Sequence, residues 1–369
     1  MKEDKMQNQK DAFEELLQVC VKMGGSDLHL SEGVGPRVRL QGELMPLSTA
    51  SYTLTVSPEA IATAILHPWQ QAVFKQEQML DMAYALPSRD RFRIHFYREQ
   101  GKIAMAIRKL ESEFRSLGAL SLPPKLSELA NLKDGLVLIT GPTGSGKTTT
   151  LATQIHQINM TRNCHIVTVE DPVEYLHQNI KSLIRQRELY TDVQSFSQAV
   201  RSALREDPDV LLIGEMRDID TTRAAIMSAE TGHLVFSTLH TGDAVGAIDR
   251  MIGIFPAQEQ DSIRHQLSMV LRAVVAQRLI PSRNGGDRLP VVEILIVTPA
   301  IANLIRTGRS QQIYSAMEIG AAQGMQTMEQ AIAMRLNEGT ILSEDAYPLA
   351  RDWQLVEAYL RKKKNADHR

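Results

Sequence analysis

Apolar residues follow one pattern in the first third of the chain and a different one in the remainder. The opening stretch has apolar residues at helical spacing and ends at Gly24-Gly25, which predicts an amphipathic helix with a glycine C-cap. Short alternating runs follow, and they predict strands of an antiparallel sheet at residues 27–30, 37–40, 91–97 and 103–107. We therefore predict a small α+β domain over residues 1–112.

Four apolar runs without polar interruption distinguish the rest of the chain, at residues 136–139, 166–169, 210–213 and 234–236. Strands that are apolar on both faces belong in a parallel sheet covered by helices. Helical stretches at residues 148–159 and 220–229 alternate with these runs, and from about Ser262 the pattern is mostly helical as far as the charged tail at 361–369. We predict an α/β domain over residues 125–369, joined to the first by a linker at 113–124.

Charge and cysteine content narrow the choice of partners. The 41 Lys and Arg nearly balance the 43 Asp and Glu, and only 5% of residues are aromatic, which argues against a nucleic-acid translocase with a basic, aromatic-lined channel. Cys20 and Cys164 form no C-x-x-C pair, so we expect neither a disulfide framework nor a cysteine-ligated zinc site. We expect a cytoplasmic location instead. No apolar stretch approaches the ~20 residues that span a bilayer, so we expect no direct membrane insertion and contact with a membrane only through a protein partner.

A phosphate-binding loop is the strongest chemical signal in the sequence. The motif G-x-x-x-x-G-K-[ST] lies between an apolar run and a helical stretch, which is the context it requires. Its glycines allow backbone N–H groups to surround a phosphate, the lysine bridges the β- and γ-phosphates of ATP, and the hydroxyl of Thr148 ligates Mg²⁺. The predicted nucleotide-binding residues are Gly141, Pro142, Thr143, Gly144, Ser145, Gly146, Lys147, Thr148 and Thr149.

Two acidic segments follow apolar runs. Glu215 comes after residues 210–213, where a carboxylate can polarise the attacking water, although a helix N-cap explains an acidic residue there equally well. Glu170, Asp171 and Glu174 come after residues 166–169, and nucleotide-bound Mg²⁺ would offset their mutual repulsion. A solvated acidic turn around Pro172 is the alternative for this second segment.

Two histidines flank the last apolar run. His233 precedes residues 234–236 and His240 follows them. An imidazole can hydrogen-bond a γ-phosphate or the carboxylate that activates water, and so sense the state of the nucleotide. A structural or solvent-facing role is the alternative for each.

These blocks, in this order, resemble the Walker A, Asp box, Walker B and His box of the secretion ATPase superfamily, which drives type II secretion and type IV pili. Within it, the chain is most similar to the PilT-type retraction ATPases. The resemblance implies a PAS-like N-terminal domain, a RecA-like C-terminal domain, a hexameric ring and ATP bound between the two domains. The blocks that carry it are residues 24–30, 141–148, 169–175, 205–210, 214–218 and 231–234.

The resemblance also implies roles for individual residues. Glu174 takes the place of the Asp-box carboxylate, Glu215 that of the catalytic carboxylate, and His233 and His240 those of the His box. Arginines that reach the γ-phosphate come from the N-terminal domain in this family, and Arg93 and Arg108 match them. The alternative for these arginines is a sheet edge kept soluble by positive charge.

The partners implied are five further copies of the chain in a homohexamer, an inner-membrane platform protein at the pilus base and a second retraction ATPase. An accessory, PilU-like motor stays open, because Ala302 and Thr307 stand where the family helix A-I-R-N-L-I-R-E has arginine and glutamate. A pilus-assembly or type II secretion ATPase is the other alternative, but those relatives carry a tetracysteine zinc element and a longer N-terminal region. A non-hydrolysing nucleotide-sensing scaffold is a third.

Overall fold

A computed structural model describes residues 2–40, 42–47, 57–110, 113–286 and 288–366. The end of the first predicted domain at residues 111–112 and the last tail residues, 367–369, lie outside this set. The chain divides into two compact units, and each draws on separate segments. The first consists of Met1–Glu113, Glu170–Leu176 and Arg187–Gln194, and the second of Phe114–Val169, His177–Gln186 and Ser195–Arg369.

The first unit is built on a six-stranded antiparallel sheet. Its strands in sheet order are β3, β2, β1, β6, β5 and β4. The predicted α+β domain and its four strands are confirmed. The elements are α1 (Lys2–Lys22), β1 (Asp27–Ser31), β2 (Val34–Leu40), β3 (Glu43–Pro46), α2 (Pro58–Ile65), α3 (Pro68–Glu77), β4 (Met79–Ala85), β5 (Arg91–Glu99) and β6 (Lys102–Leu110).

Helix α1 ends as its sequence indicates. Phe13, Leu16 and Leu17 are fully buried on one face of the helix, in the same core as residues of the sheet. Gly24 has a φ of +73°, and the Gly25 N–H donates to the Cys20 carbonyl at 2.9 Å. A Cβ on Gly25 would lie 2.6 Å from Val38, so the turn from α1 into β1 needs glycine there.

The second unit contains a seven-stranded sheet in the order β13, β12, β7, β11, β10, β8, β9. Its strands are β7 (Gly135–Thr140), β8 (His165–Glu170), β9 (Leu183–Glu188), β10 (Val210–Ile213), β11 (Leu234–Leu239), β12 (Leu271–Ile280) and β13 (Leu289–Ile296). Its helices are α4 (Lys147–Thr161), α5 (Phe196–Ala203), α6 (Ile219–Glu230), α7 (Ala244–Gly253), α8 (Gln260–Val270), α9 (Pro299–Arg306), α10 (Gln311–Glu318), α11 (Met328–Asn337), α12 (Ser343–Ala346) and α13 (Trp353–Ala366). Short 3₁₀ helices lie at Pro124–Asn131, Gly320–Gln323 and Tyr347–Leu349.

The four predicted parallel strands are confirmed as β7, β8, β10 and β11. Strand β11 lies between β7 and β10, pairing Leu239 with Thr140 and Ser237 with Ile213. Because parallel strands end at the same edge of a sheet, the segments after β7, β10 and β11 emerge side by side. This edge carries the phosphate-binding loop, Glu215 and His240.

The expectation of a mostly helical region from Ser262 onward is wrong for residues 271–296. Strand β12 pairs parallel to β7, and β13 pairs antiparallel to β12 as the edge strand. Helix α8 ends at Val270 and β12 begins at Leu271, so no glycine or proline marks the change. Pro290 lies in the edge strand, where a missing N–H is tolerated.

Both faces of this sheet are covered. One face packs against α6, α7 and α8, and the other against α4 and the 3₁₀ helix Pro124–Asn131. Within the described ranges, no helix combines the length and the apolar character needed to cross a bilayer.

Candidate nucleotide site

The phosphate-binding loop joins β7 to α4 with its glycines in conformations that other residues avoid. Gly141, Gly144 and Gly146 have φ values of +146°, +76° and +83°. A Cβ on Gly141 would lie 2.3 Å from the Gln277 carbonyl oxygen, so no side chain fits there. Helix α4 has no side-chain N-cap, which leaves its first N–H groups available to an anion.

Lys147, at the start of α4, is held inside this loop. Its side chain is 8% exposed, and Nζ donates to the carbonyls of Gly141 at 2.7 Å and Pro142 at 3.0 Å. Burial lowers the pKa of Lys147, and the charge of Glu215 opposes that shift. A phosphate placed in the loop would supply the negative charge that the buried ammonium favours.

Ser145 provides a second sign that the loop fits a phosphate. Its Oγ is buried and has no hydrogen-bond partner among the described residues. Buried hydroxyls are normally paired, and a phosphate oxygen would satisfy this one. Thr148 and Thr149 follow Lys147 on the first turn of α4 and are half-buried, whereas Pro142, Thr143 and Gly144 are exposed. The Thr148 hydroxyl is of the type that ligates Mg²⁺ in such loops.

Glu215 follows β10 and is held by an arginine and a histidine. Its side chain is 13% exposed; Oε1 lies 2.5 Å from Nη2 of Arg217, and Oε2 lies 3.2 Å from Nε2 of His240. The Gly214 N–H donates to the carbonyl of Val169, and the Gly214 carbonyl accepts from Thr238 Oγ1 at 2.6 Å. The backbone before Glu215 is therefore tied to both neighbouring strands.

The two predicted histidines do not share a site. His240 directly follows β11 at the phosphate edge, whereas His233 precedes β11. His233 Nδ1 lies 2.9 Å from the Ser228 carbonyl oxygen and 3.0 Å from Thr231 Oγ1. The length of β11 separates the two histidines by about 20 Å. The structure therefore does not bring His233 to the phosphate-binding loop of the same chain. The contacts of His233 with Ser228 and Thr231 are those of a turn.

Sequence reasoning missed two residues that make contacts at this edge, Gln277 and Arg217. Gln277 of β12 is 3% exposed and bonds to both the loop and α4. A lone glutamine in an apolar run carries no recognisable signal. Arg217 had a signal, because it lies two residues after a carboxylate that emerges from a buried strand.

Glu174 belongs to the first compact unit, where the acidic segment meets arginines of β5. Nη1 of Arg91 donates to the Glu174 carbonyl at 2.8 Å. Burial lowers the pKa of Arg91, and Glu188, Glu170 and Glu174 oppose that shift. Arginines therefore supply positive charge to this segment in the folded unit.

Arg93 and Arg108 face each other across β5 and β6. Arg93 pairs with Asp81 at 3.0 Å, and Arg108 pairs with Asp27 at 2.7 Å. Burial alone would lower the pKa of Arg93. The negative charges of Asp81 and, more weakly, of Glu174 and Asp171 outweigh burial, so this pKa is raised. Two like charges directly opposite each other repel, and the two aspartates offset that repulsion. The structure thus brings the two predicted arginines together on one sheet, with the Arg108 side chain 71% exposed.

A glycine-lined loop between a buried parallel strand and a helix, with a carboxylate from a strand two positions away, defines a P-loop ATPase. The sequence profile described as "Type II/IV secretion system protein" matches residues 101–346, and the chain belongs to that family. It is an ATPase with an N-terminal domain followed by a RecA-like domain.

Relatives extend the likeness over nearly the whole chain. The type IV pilus retraction ATPase PilT of Pseudomonas aeruginosa is 40% identical over 91% of this chain and 97% of its own length. The type IV pilus ATPase PilU of the same organism is 36% identical over 96% and 94%. A crystal structure of the pilus retraction motor PilT with bound ADP superposes with a TM-score of 0.84 at 39% identity, covering 94% of this chain and 98% of that one.

Proposed function

We propose that this chain is the subunit of a hexameric motor that uses ATP hydrolysis to power retraction of type IV pili. The observation that carries the proposal is the likeness to a retraction ATPase over nearly the full length of both proteins, rather than over the ATPase unit alone. Arg93, Arg108 and Glu174 lie in the first unit, so the likeness includes the part of the chain that holds these predicted site residues.

At the nucleotide, the residues of the second unit divide the work. Backbone N–H groups of residues 143–146 and the Lys147 ammonium bind the phosphates, and the Thr148 hydroxyl would ligate Mg²⁺. Glu215 accepts a hydrogen bond from the attacking water and takes its proton, while His240 holds the carboxylate in position. Mg²⁺ bound with ATP would supply positive charge to the phosphates during the reaction.

The predicted arginine fingers supply the link from chemistry to motion. Arg93 and Arg108 stabilise charge on the γ-phosphate when the subunits close around ATP, and Glu174 contributes a carboxylate to the same site. In GTPases such a finger is worth about 10³ to 10⁵ in rate. To reach a phosphate, each arginine exchanges its aspartate partner for the nucleotide, so closure and hydrolysis depend on each other.

We place the hexamer in the cytoplasm, peripheral to the inner membrane at the pilus base, where it acts on a platform protein and works beside a second retraction ATPase. The chain's own cells provide the test: a strain that lacks this gene should carry surplus surface pili and lose surface motility. Cells without surface pili would instead indicate an assembly ATPase. A deletion strain with normal piliation and normal motility would indicate that the protein has no role in pili.

An accessory motor is the second candidate, favoured by one sequence feature. Helix α9 buries Ile301 and Ile305 but has Ala302 and Thr307 at two family positions for charged residues. For an accessory motor, deletion should leave piliation near normal and reduce motility only against load. Counting pili and measuring retraction force in the same strain separates the two candidates.

Two substitutions separate binding from turnover in the purified protein. Lys147→Ala should weaken ATP binding at least tenfold, because it removes the cation that meets the phosphates. Glu215→Gln should lower kcat about 10²- to 10⁴-fold and change nucleotide affinity less than threefold, because the amide keeps the shape but accepts no proton. Titration calorimetry with ADP and steady-state phosphate release measure both. Normal turnover by Glu215→Gln would contradict the role of this carboxylate.

A further inference from the structure

Gln277 lies where the sheet meets the phosphate-binding loop. It belongs to β12, which pairs with β7 through Ala276 and Thr140 and so places Gln277 next to Gly141. Nε2 of Gln277 donates to the Ser145 carbonyl at 2.7 Å, and Oε1 accepts from Thr150 Oγ1 at 2.8 Å. All three side chains are at least 97% buried. One amide therefore bonds at once to the loop and to the helix that follows it.

The loop is also shaped around this residue sterically. A Cβ on Gly141 would lie 2.3 Å from the Gln277 carbonyl oxygen, and a Cβ on Gly146 would lie 2.8 Å from Gln277 Nε2. The first glycine of the motif is therefore confined by the backbone of residue 277 and the last by the Gln277 side chain, in addition to their positive φ values. Contact at both ends of the loop limits the positions that its backbone can take.

The bond to Ser145 sets the direction of a neighbouring amide. In a trans peptide the N–H points opposite to the C=O, so fixing the Ser145 carbonyl toward β12 turns the Gly146 N–H away from it. Backbone N–H groups of this kind hold phosphates in P-loops. Buried hydrogen bonds that fix such groups in advance reduce the ordering cost of binding.

We propose that Gln277 is a positioning residue for the phosphate site, acting through the Ser145 carbonyl and the Thr150 hydroxyl to hold the loop in its phosphate-binding shape. The proposal deepens the proposed function, because it takes residues 141–149 as the phosphate site. It predicts a selective loss: phosphate-dependent affinity depends on Gln277, and nucleoside affinity does not.

The test compares Gln277→Met with Gln154→Met in the purified full chain. Methionine keeps the volume and removes both amide bonds. Gln154 is a matched control, because it lies on α4, is fully buried and donates to the Leu126 carbonyl at 3.0 Å in the 3₁₀ helix Pro124–Asn131. Displacement of a fluorescent ADP analogue by ADP and by adenosine gives the affinities, and thermal unfolding without nucleotide gives the stability.

Gln277→Met should raise the Kd for ADP about tenfold and the Kd for adenosine less than twofold, the size expected from one or two buried hydrogen bonds. Gln154→Met should lower the melting temperature and leave both Kd values within twofold. Equal weakening of ADP and adenosine by Gln277→Met, or unchanged ADP affinity, would overturn the proposal. If that variant does not fold, Thr150→Val removes one of the two bonds and should weaken ADP selectively by about threefold; a nonselective or absent effect again overturns it. Because the readout is ADP binding, it is independent of whether deletion of the gene affects pili.

Discussion

His240 and Glu215 are 25 residues apart in sequence, and their Nε2 and Oε2 atoms lie 3.2 Å apart. The parallel pairing of β10 with β11 produces this contact, because both residues follow the ends of adjacent strands. Arg217 holds the other carboxylate oxygen of Glu215. The carboxylate that we predict to be catalytic is thus oriented through both of its oxygens.

Replacing His240 should slow turnover more than it weakens binding. His240→Ala removes the group on Oε2, so the Glu215 side chain gains rotational freedom, and we expect kcat to fall about 10- to 100-fold. ADP affinity should change less than threefold. His265→Ala, which removes an exposed histidine of α8, is the control. Equal kinetics in His240→Ala and wild type would mean that this contact has no part in turnover.

Arg217 should behave as a partner of Glu215 with a strict geometric requirement. Arg217→Ala removes the 2.5 Å contact to Oε1 and should lower kcat about tenfold, whereas Arg217→Lys should retain part of the activity. Steady-state ATPase measurements test both variants. Arg201→Ala is the matched control, because Arg201 forms a more exposed pair with Asp220 at 4.0 Å. An Arg217→Ala effect no larger than that of Arg201→Ala would contradict the prediction.

Glu293 is a buried carboxylate of β13 behind the loop that carries His240. It is 2% exposed, and its Oε1 accepts the Ala244 N–H at 2.7 Å at the start of α7. The pKa of Glu293 is raised to about 7, mainly by burial and also by the negative charges of Asp243 and Glu329. The hydrogen bond from Ala244 partly opposes this rise. Glu293 therefore changes charge near neutral pH.

The raised pKa gives Glu293 a defined effect on stability. The folded protein binds this proton more tightly than the unfolded chain, so the stabilisation is complete below pH 4.5 and is lost as pH rises through about 7. Glu293→Gln keeps an acceptor for Ala244 and stays neutral. Its free energy of unfolding in a denaturant titration should therefore exceed that of wild type by about 2 kcal/mol at pH 8 and equal it near pH 4.5. Glu344→Gln, at an exposed position, is the control, and a constant difference at all pH values would refute the assignment.

His177 should produce the opposite dependence. It packs against Phe114, which also stacks on His156, with ring centroids 4.5 Å and 4.4 Å apart respectively. Burial and, to a smaller extent, the neighbouring His156 lower the pKa of His177 to about 4. The unfolded chain binds this proton more tightly, so stability falls as pH drops from 6.5 toward 4.

His177→Phe should remove that loss, because phenylalanine keeps an aromatic ring beside Phe114 and takes no proton. The variant should exceed wild type in unfolding free energy by about 2 kcal/mol at pH 4.5 and differ little from it at pH 7.5. His265→Gln is the control. Because the Glu293 and His177 effects have opposite signs, the wild-type curve alone tests neither, and an unchanged acid slope in His177→Phe would contradict this prediction.

The sequence predicted the elements whose pattern is local. Residues 136–139 and 210–213 are apolar throughout, and motif residues follow directly, so both the strands and the edge they share were predictable. The acidic segment was predictable as well. Its neighbours were not, because Arg91 and Glu174 meet only through tertiary packing.

The sequence failed where a boundary has no punctuation or a contact spans a long separation. The passage from α8 into β12 lacks a turn residue, so a strand of ten residues was interpreted as helical. That error concealed Gln277, which donates a hydrogen bond to the carbonyl of Ser145, 132 residues earlier in the chain. His233 and His240 are close in sequence, but an intervening strand carries them to opposite edges.

The two compact units share the chain in interleaved pieces, and this limits how the protein can be divided. A fragment starting at Phe114 would carry Val173, Tyr175 and Leu189, all less than 8% exposed in the intact chain, without β4 and β5, whose Ala83 and Arg91 bond to those segments. A fragment ending at Glu113 would lack Glu188, which accepts the Ala83 N–H. A hybrid made with a relative by a single crossover at that point would therefore combine segments of the first unit from two different proteins. Only exchange of all three segments together preserves the first unit.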